Sequence, residues 1–297
     1  MRLGKLLKTI DLENAGLHIV TDEELKKCQN LLLEMIIDIA GLCDKYDIEW
    51  LLSGGSILGA VRHKGFIPWD DDVDIFMTRE NVVKLQKVFP EIADKYTLAM
   101  PGDDRNLFHY PRIYKKGTKV RSVQSAGETH GLVLDIFVLE NAYNNKFLRY
   151  LHGIECTIYL FIDTCVRMRA CKDSVLKYGG NNKKLRNAVN LRATLGKIFA
   201  FKTIEQWMEA SDKCFSKVKD NQSKYVVCPS GAMHYFGEMF IREKLCSTIE
   251  VPFESYKVKI PEDYHYYLTM RYGKNYMTPP QKDKIERHIY VEFDLGD

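Results

Sequence analysis

Several aspartates crowd into the stretch Trp69-Asp-Asp-Asp-Val-Asp-Ile-Phe-Met77, which then continues into apolar residues. In a β-strand, residues two apart project from the same face with Cα atoms about 6 to 7 Å apart, so Asp72 and Asp74 should point the same way. Carboxylates this close repel one another unless a cation lies between them, and hard oxygen ligands suit Mg²⁺ or Mn²⁺. Asp135 interrupts the apolar run 131–139 and is the expected third ligand if that strand lies beside the first.

Two other interpretations of the aspartates were weighed. A solvated turn is a common setting for an Asp-Asp-Asp run, but here apolar residues follow at once and the segment enters the core. An EF-hand calcium loop starting at Asp70 would need glycine at its sixth position and glutamate at its twelfth. Those positions hold Ile75 and Asn81, so the loop is excluded.

A glycine turn, Gly54-Gly55-Ser56, precedes the acids and opens a predicted helix. Backbone amides at a helix N-terminus commonly hold an anion, although Gly-Gly at a strand-to-helix joint also occurs for geometry alone. Arg62 and Lys64 add cationic groups nearby, or simply end the helix favourably. One helix and one loop separate the turn from Asp72, which would set phosphates between amides and metal.

The elements that must position these residues follow from capping, periodicity and turn residues. Thr21 and Glu24 form a capping box before a helix predicted from Asp22 to Lys45. The further predicted elements, in chain order, are a strand at 50–52, a helix at 56–63, a strand at 73–77, a helix from 78 to about 90, short strands between 96 and 120, and a buried strand at 131–139.

Composition and charge describe an ordinary globular chain of 297 residues with a net charge of +3, too small to imply a nucleic-acid partner. We predict three parts: 1–143 as a catalytic core, 144–222 as a helical, basic insertion or subdomain, and 223–297 as a mixed part that completes the cleft. Within 167–202, ten Lys or Arg face a single acid, Asp173. That stretch either binds anionic lipid or an anionic glycopolymer precursor, or is a solvated helical face.

Cysteine usage and the absence of an export signal indicate the compartment. The eight cysteines include no Cys-x-x-Cys pair, which favours a reduced protein with buried thiols. The N-terminal residues lack a signal-peptide core, and no apolar run is long enough for a membrane span. We therefore expect a cytoplasmic protein, or one held peripherally at the inner face of the membrane.

A family resemblance rests on these residues. The order Gly-Gly-Ser, helix, acid-apolar-acid-apolar and a third acid on a later strand resembles the nucleotidyltransferase superfamily. The longer string Gly59-Ala-Val-Arg-His-Lys-Gly-Phe-Ile-Pro-Trp-Asp-Asp-Asp-Val-Asp-Ile75 is similar to the LicD family, whose eukaryotic relatives are fukutin and fukutin-related protein. Segments 131–140 and 249–288 also resemble that family, although Val138 and Glu140 stand where proline and aspartate are usual, and 144–222 is not covered.

The resemblance implies an α+β fold, with a nucleotidyltransferase-like mixed sheet flanked by helices and a largely helical second part. It implies transfer of a phospho-alcohol group from a CDP-linked donor to a hydroxyl of a glycan or teichoic acid precursor. Phosphocholine is the expected group, ahead of ribitol phosphate. CMP leaves in an in-line displacement without a protein nucleophile.

The resemblance also assigns roles. Asp72, Asp74 and Asp135 are the implied catalytic residues and ligands of one or two Mg²⁺ ions, with Asp135 helping to deprotonate the acceptor. Residues implied or expected to bind the donor and its phosphates are Gly54, Gly55, Ser56, Arg62, Lys64, Arg112, Thr118 and His288. His288 otherwise satisfies a local hydrogen bond.

Two other functions stay open. The same metal site would serve a nucleotidyltransferase that adds NMP to a small molecule, and the fold also suits a catalytically silent binding protein. The tyrosines near the C-terminus could hold a quaternary ammonium such as choline, or could be ordinary core residues.

Overall fold

The computed structural model describes residues 17–103, 106–122, 130–178, 182–281 and 290–296. Helix α1 runs over Asp22–Lys45, the range predicted from its capping box. The Thr21 hydroxyl accepts a hydrogen bond from the Glu24 amide, and the Glu24 carboxylate accepts one from the Thr21 amide. Each bond satisfies an amide that the first helical turn would otherwise leave unpaired, so the helix starts at a fixed residue.

The first half of the chain alternates short strands and helices. Its further elements are β1 (Leu51–Leu52), α2 (Gly54–His63), β2 (Asp74–Thr78), α3 (Arg79–Val88), a 3₁₀ turn (Phe89–Ile92), β3 (Tyr96–Ala99), β4 (Arg112–Lys115), β5 (Lys119–Ser122) and β6 (Val133–Ala142). Helix α2 begins two residues before the predicted start, so both glycines lie in its first turn. The predicted strand at 73–77 lies one residue later, and β6 continues three residues beyond Leu139.

The second half opens with three helices: α4 (Lys146–Tyr178), α5 (Lys183–Ile198) and α6 (Ile204–Phe215). Its remaining elements are β7 (Tyr225–Val227), α7 (His234–Gly237), β8 (Met239–Ile241), α8 (Arg242–Cys246), β9 (Thr248–Phe253), β10 (Tyr256–Pro261), α9 (Tyr264–Tyr272) and β11 (Tyr290–Asp294). The largely helical second part is therefore confirmed.

A mixed sheet lies at the centre of the fold. Its strand order is β1-β2-β6-β4-β3, and β7, flanked by β8, pairs with the far end of β6. Strands β2 and β6 are parallel, while β1–β2, β4–β6, β3–β4, β6–β7 and β7–β8 are antiparallel. Two further antiparallel pairs, β9–β10 and β5–β11, lie outside this sheet. The α+β class is confirmed.

One hydrophobic core joins the two ends of the chain. Buried residues of this core range from Cys28 on α1 to Leu295 after β11 and include Phe253 and Tyr267. Because β7 pairs with β6, the part from 223 onwards extends the sheet that the first part begins. The division at 143 and 222 stays a prediction, and both positions fall in connections between elements.

Candidate active site

Strand register brings two of the predicted acids and one predicted cation together. In the parallel pair β2–β6, Asp74 is the partner of Asp135, and in the antiparallel pair β4–β6, Arg112 is the partner of the same Asp135. Adjacent strands lie about 4.8 Å apart. Asp74, Asp135 and Arg112 therefore lie side by side on three neighbouring strands, although long stretches of sequence separate them. We call these three residues the acid row.

The run of aspartates divides between solvent and core. Val73 and Ile75 are buried, while Asp72 and Asp74 are half-buried, the alternation that an extended segment produces. Asp71 is buried near the Tyr290 hydroxyl. Burial raises the pKa of Tyr290, and the negative charge of Asp71 raises it further. Asp72 and Asp74 are thus the more accessible members of this alternating segment, while Asp71 contributes to the contact with β11.

Arg112 holds the Asp135 carboxylate from one side. Its Nε donates to Oδ1 at 2.7 Å, its Nη2 lies 3.4 Å from Oδ2, and both side chains are about one-seventh exposed. The guanidinium lies 4.0 Å from the centroid of the Phe108 ring. Burial opposes the charge on Arg112, but Asp135 and then Tyr110 and Tyr114 outweigh it and raise its pKa. This pair sets the orientation of Asp135.

The glycine turn lies against the acids. Gly54 has φ of +53°, and a Cβ there would lie 3.3 Å from Asp74 Oδ2. A Cβ at Gly55 would lie 3.1 Å from Asp70 Oδ2. A side chain at either position would crowd a carboxylate, and at Gly54 the left-handed backbone also favours glycine.

Hydrogen bonds already engage part of this turn. The Gly54 amide donates to the Tyr267 hydroxyl at 2.9 Å, and the Ser56 amide donates to the Ser53 carbonyl at 3.0 Å. The Ser56 hydroxyl accepts from the Asp74 amide at 3.1 Å, which fixes the start of β2 against α2. Ser56 thus positions an acid, and the role of the turn in holding phosphate stays a prediction.

The predicted cations Arg62 and Lys64 lie at the opposite end of α2. Eight residues of helix separate Gly54 from Arg62, or about 12 Å along the axis. Arg62 donates from Nη1 to the Tyr276 carbonyl at 3.0 Å. Lys64 is exposed, and its carbonyl accepts from the Glu254 amide at 2.8 Å. Both are therefore groups at the margin of the acid row and not in it.

Thr118 lies away from the acid row. Arg112 is the first residue of β4, and the last residue of that strand lies about 10 Å further along it. Thr118 follows in the turn after this end of the strand. Its buried hydroxyl donates to the Lys115 carbonyl and accepts from the Leu132 amide, each at 2.8 Å. These bonds hold the β4–β5 turn against the residues that enter β6. His288 lies outside the described residues.

Two contributors to the site were not assigned from the sequence. The Tyr272 hydroxyl has its pKa raised by desolvation, against the effect of Arg271, and then further by Asp74, Asp70 and Asp72. It stays protonated and can donate a hydrogen bond beside the acids. The other is Asp70, which the close approach to Gly55 places at the turn. The tyrosine-rich closing segment and the Asp-Asp-Asp run were the available signals.

The donor chemistry fits Mg²⁺ or Mn²⁺. Asp74 and Asp135 offer carboxylate oxygens on adjacent strands, and half-buried Asp72 precedes the first of these strands by two residues. They are not preassembled around a point, however, because Asp135 is bound to Arg112 and would have to turn toward a cation.

Among the described residues, ligand atoms that converge within 4.8 Å of one another belong instead to His152, Cys156 and Cys214. That buried cluster lies between α4 and α6. The two Sγ atoms are 3.8 Å apart, and His152 Nε2 lies 2.8 Å from the Cys214 carbonyl oxygen. The predicted burial of the thiols is observed for seven of the eight cysteines.

A mixed sheet that presents acids from neighbouring parallel strands beside a glycine turn at a helix start defines a nucleotidyltransferase-like domain. Residues 47–149 match the family described as "LicD/FKTN/FKRP, nucleotidyltransferase domain". The resemblance to the LicD family is thereby confirmed, and the chain carries a domain of this family. The matched range includes Gly54, Asp72, Asp74, Arg112 and Asp135.

Individual relatives agree with the domain match. The chain is 26% identical over 289 residues to the lipopolysaccharide cholinephosphotransferase LicD of Haemophilus influenzae, an alignment that covers 91% of this chain and 98% of the relative. It is 36% identical over 136 residues to the uncharacterized protein RP689 of Rickettsia prowazekii, 43% of this chain and 42% of that protein. Human ribitol 5-phosphate transferase FKRP is 40% identical over 55 residues, 18% of this chain and 11% of the relative.

Proposed function

We propose that the protein is a Mg²⁺-dependent transferase that moves a phospho-alcohol group from a CDP-linked donor to a hydroxyl of a cell-surface glycan or teichoic acid precursor. Phosphocholine is the first group to test, because the relative that aligns along most of the chain is named a cholinephosphotransferase. The observation that carries the proposal is the register of β2 and β6, which sets Asp74 beside Asp135.

The proposed reaction is an in-line displacement at the phosphorus that bears the alcohol. A bond forms between the acceptor oxygen and this phosphorus, the bond to CMP breaks, and the acceptor proton passes to the Asp135 carboxylate. Arg112 contacts Oδ1 of that carboxylate at 2.7 Å, and Asp135 would turn from this contact toward the metal and the acceptor. The Tyr272 hydroxyl, protonated because of desolvation and its acidic neighbours, donates to a phosphate oxygen.

Asp72, Asp74 and Asp135 would hold one or two Mg²⁺ ions, or Mn²⁺, and the metal would supply neutralisation of the pyrophosphate charge. Gly55 and Ser56 lie at the N-terminus of α2, where helix amides favour an anion. We assign the donor phosphates to this end of α2 and the acceptor to the Asp135 side of the row. The protein would act in the cytoplasm or at the inner face of the membrane.

CMP release with a panel of CDP-choline, CDP-ribitol and CDP-glycerol tests the proposal. The wild-type chain should release CMP from one of them only with Mg²⁺ or Mn²⁺ and a glycan acceptor. Asp74→Asn should lower the rate by about 10³-fold, since a ligand charge and a carboxylate oxygen are lost. Asp173→Asn, which changes an exposed acid on α4, is the matched control and should retain wild-type activity.

Two outcomes would overturn the proposal. CMP release that persists undiminished in Asp74→Asn would place the chemistry elsewhere. A product that carries the nucleotide, with pyrophosphate as the second product, would instead identify a nucleotidyltransferase that adds NMP. Calorimetry with Mg²⁺ and each CDP compound measures binding, and CMP release measures turnover. A silent binding protein would bind a CDP compound and release no CMP.

A further inference from the structure

One side of α4 is apolar and exposed along its first half. Its residues recur at the spacing of a single helix face, and each is between 38% and 68% exposed: Phe147, Tyr150, Leu151, Ile154, Ile158 and Phe161. We call these six residues the α4 face. It extends over about 21 Å of helix. Contiguous exposed apolar surface of this size marks a contact with another surface.

Residues from two other elements enlarge the α4 face. Phe236 on α7 is exposed, and its ring lies 5.7 Å from that of Tyr150. A groove of about 530 Å³ lies between them, bounded also by Phe147 and Met239. At the other end, a Cβ on Gly196 would lie 2.4 Å from the Cys165 carbonyl, so the end of α5 packs on α4 one turn beyond Phe161.

That packing explains why the α4 face ends where it does. From Cys165 onward, α5 covers the same side of α4, and before it nothing among the described residues does so. Ile198 and Phe201, just past the contact with Cys165, are 65% and 71% exposed. The end of α5 and the residues just after it therefore add exposed apolar side chains near the contact between α5 and α4.

The surroundings of the α4 face are cationic. Lys146 precedes its first residue, Lys197 and Lys202 flank Ile198 and Phe201, and all three lysines are exposed. The described residues 182–202 contain no acid. The first half of α4 contains one acidic residue, Glu155, and its charge is compensated by an ion pair with Lys217 at 2.7 Å. Near Lys202 lies an acid, Glu209 on α6, which is ion-paired with Lys213 at 2.7 Å. An apolar face bordered by exposed lysines complements an apolar layer beneath an anionic surface.

We propose that the α4 face docks the protein on a bilayer that contains anionic lipid, with α4 lying in the plane of the surface. The opposite side of α4 packs against the protein through residues such as Cys156 and Leu160, so the helix is fixed parallel to the surface it covers. Within the described ranges, no helix is long and apolar enough to cross a membrane. The docking rests on this surface alone, and its use in reaching a lipid-linked acceptor rests on the proposed function.

Vesicle co-sedimentation of the full chain tests the docking. The protein should pellet with vesicles of phosphatidylcholine and phosphatidylglycerol at least about tenfold more than with phosphatidylcholine alone. Leu151→Gln/Ile158→Gln should reduce binding about tenfold or more, because two apolar side chains no longer enter the bilayer. Ile37→Gln/Val83→Gln alters two exposed aliphatic residues on α1 and α3 and should bind as the wild type does.

The charge contribution is tested separately. Lys146→Gln/Lys197→Gln should lower the preference for anionic vesicles several-fold while leaving binding to phosphatidylcholine alone unchanged. Circular dichroism shows whether each variant is folded.

Wild-type protein that does not pellet with anionic vesicles, or a folded face variant that pellets as well as wild type, would overturn the proposal. So would light scattering that finds a dimer which the face variant converts to a monomer without any vesicle binding, because the α4 face would then belong to a second copy. CMP release with a water-soluble acceptor distinguishes the two proposals. It should be unchanged in the face variant if only docking is lost, whereas its absence from wild type would count against the proposed reaction.

Discussion

At the scale of single residues, the acid row depends on one cation. Arg112 contacts Asp135 through a partly buried hydrogen bond and lies beside the rings of Phe108, Tyr110 and Tyr114. A carboxylate that loses such a partner remains partly desolvated and uncompensated. Arg112 thus stabilises the structure around Asp135, and its proposed functional role can be measured apart from that contribution.

Arg112→Met should lower the free energy of unfolding by about 2 to 3 kcal/mol, less than for a fully buried pair because both side chains keep some exposure. Urea unfolding measures this loss. Arg112→Met/Asp135→Asn should recover part of it, because the unpaired charge is then gone. Lys45→Met removes an exposed pair with Glu91 and should cost at most about 1 kcal/mol. Equal losses in the two arginine variants would contradict the pairing.

Gly54 carries a second prediction at this scale. Gly54→Ala places a Cβ in left-handed backbone and 3.3 Å from Asp74 Oδ2, and should lower both stability, by about 1 to 2 kcal/mol, and CMP release, by more than about tenfold. Gly117→Ala is the matched control, since Gly117 has φ of +81° with no atom within 4 Å of its Cβ position. It should lose similar stability and no activity. A Gly54 variant with wild-type CMP release would remove the turn from the site.

At the scale of elements, α2 and the loop that follows it deliver the aspartates. The backbone of Gly65 packs so closely against Gly59 on α2 that a Cβ on Gly59 would lie 2.5 Å from the Gly65 carbonyl oxygen. The Phe66 amide then donates to Glu254 at 3.1 Å, which ties the loop to the β9–β10 turn. The position of Asp70 to Asp72 is therefore set by contacts on both sides of this loop.

Gly59→Ala should force α2 away from the loop, destabilise the protein by about 1 to 3 kcal/mol and lower CMP release with it. Gly41 on α1 is exposed with nothing within 4 Å of its Cβ position, so Gly41→Ala should stabilise by about 0.5 to 1 kcal/mol. Thermal unfolding of both variants checks the contrast. A stabilised Gly59 variant would show that the helix and loop are not in close contact.

At the scale of the whole molecule, an ion network joins the sheet to the helical part. Arg79, at the start of α3, binds buried Glu140 on β6 and also Asp212 on α6, the latter at 2.8 Å. Burial raises the pKa of Glu140, although Arg79 opposes that rise. Glu140 stands where the family pattern usually has aspartate, so the acid at this position is kept, and Arg79 compensates its charge.

Arg79→Met should lower the free energy of unfolding by about 3 to 5 kcal/mol, because Glu140 would be left buried without its cation. Arg79→Met/Glu140→Gln should be less destabilised than the single variant. Limited proteolysis of the single variant should cut within 143–222 before the sheet is digested, since α6 loses its ion pair with α3. Simultaneous digestion of all parts would contradict a role for this network in holding the helices.

Much of the site could be predicted because local patterns set it. The alternation of Asp72, Val73 and Asp74 decides which carboxylates face out, and the capping box at Thr21 decides where α1 begins, since both depend on residues a few positions apart. The family resemblance was likewise visible in one contiguous string, and 26% identity along most of a LicD relative agrees with it.

Tertiary structure alone decided the rest, because it depends on contacts between distant residues. The pairing of Asp74 with Asp135, and of both with Arg112, is a matter of strand order and register that no local spacing contains. The commitment of the Gly54 amide to Tyr267 and of the Thr118 hydroxyl to the β4–β5 turn is of the same kind. So is the exposure of the α4 face, because it depends on where α5 packs on α4 near Cys165. The sequence determined the candidate groups, because their types and local spacing are read from short stretches, and the fold determined which of them meet.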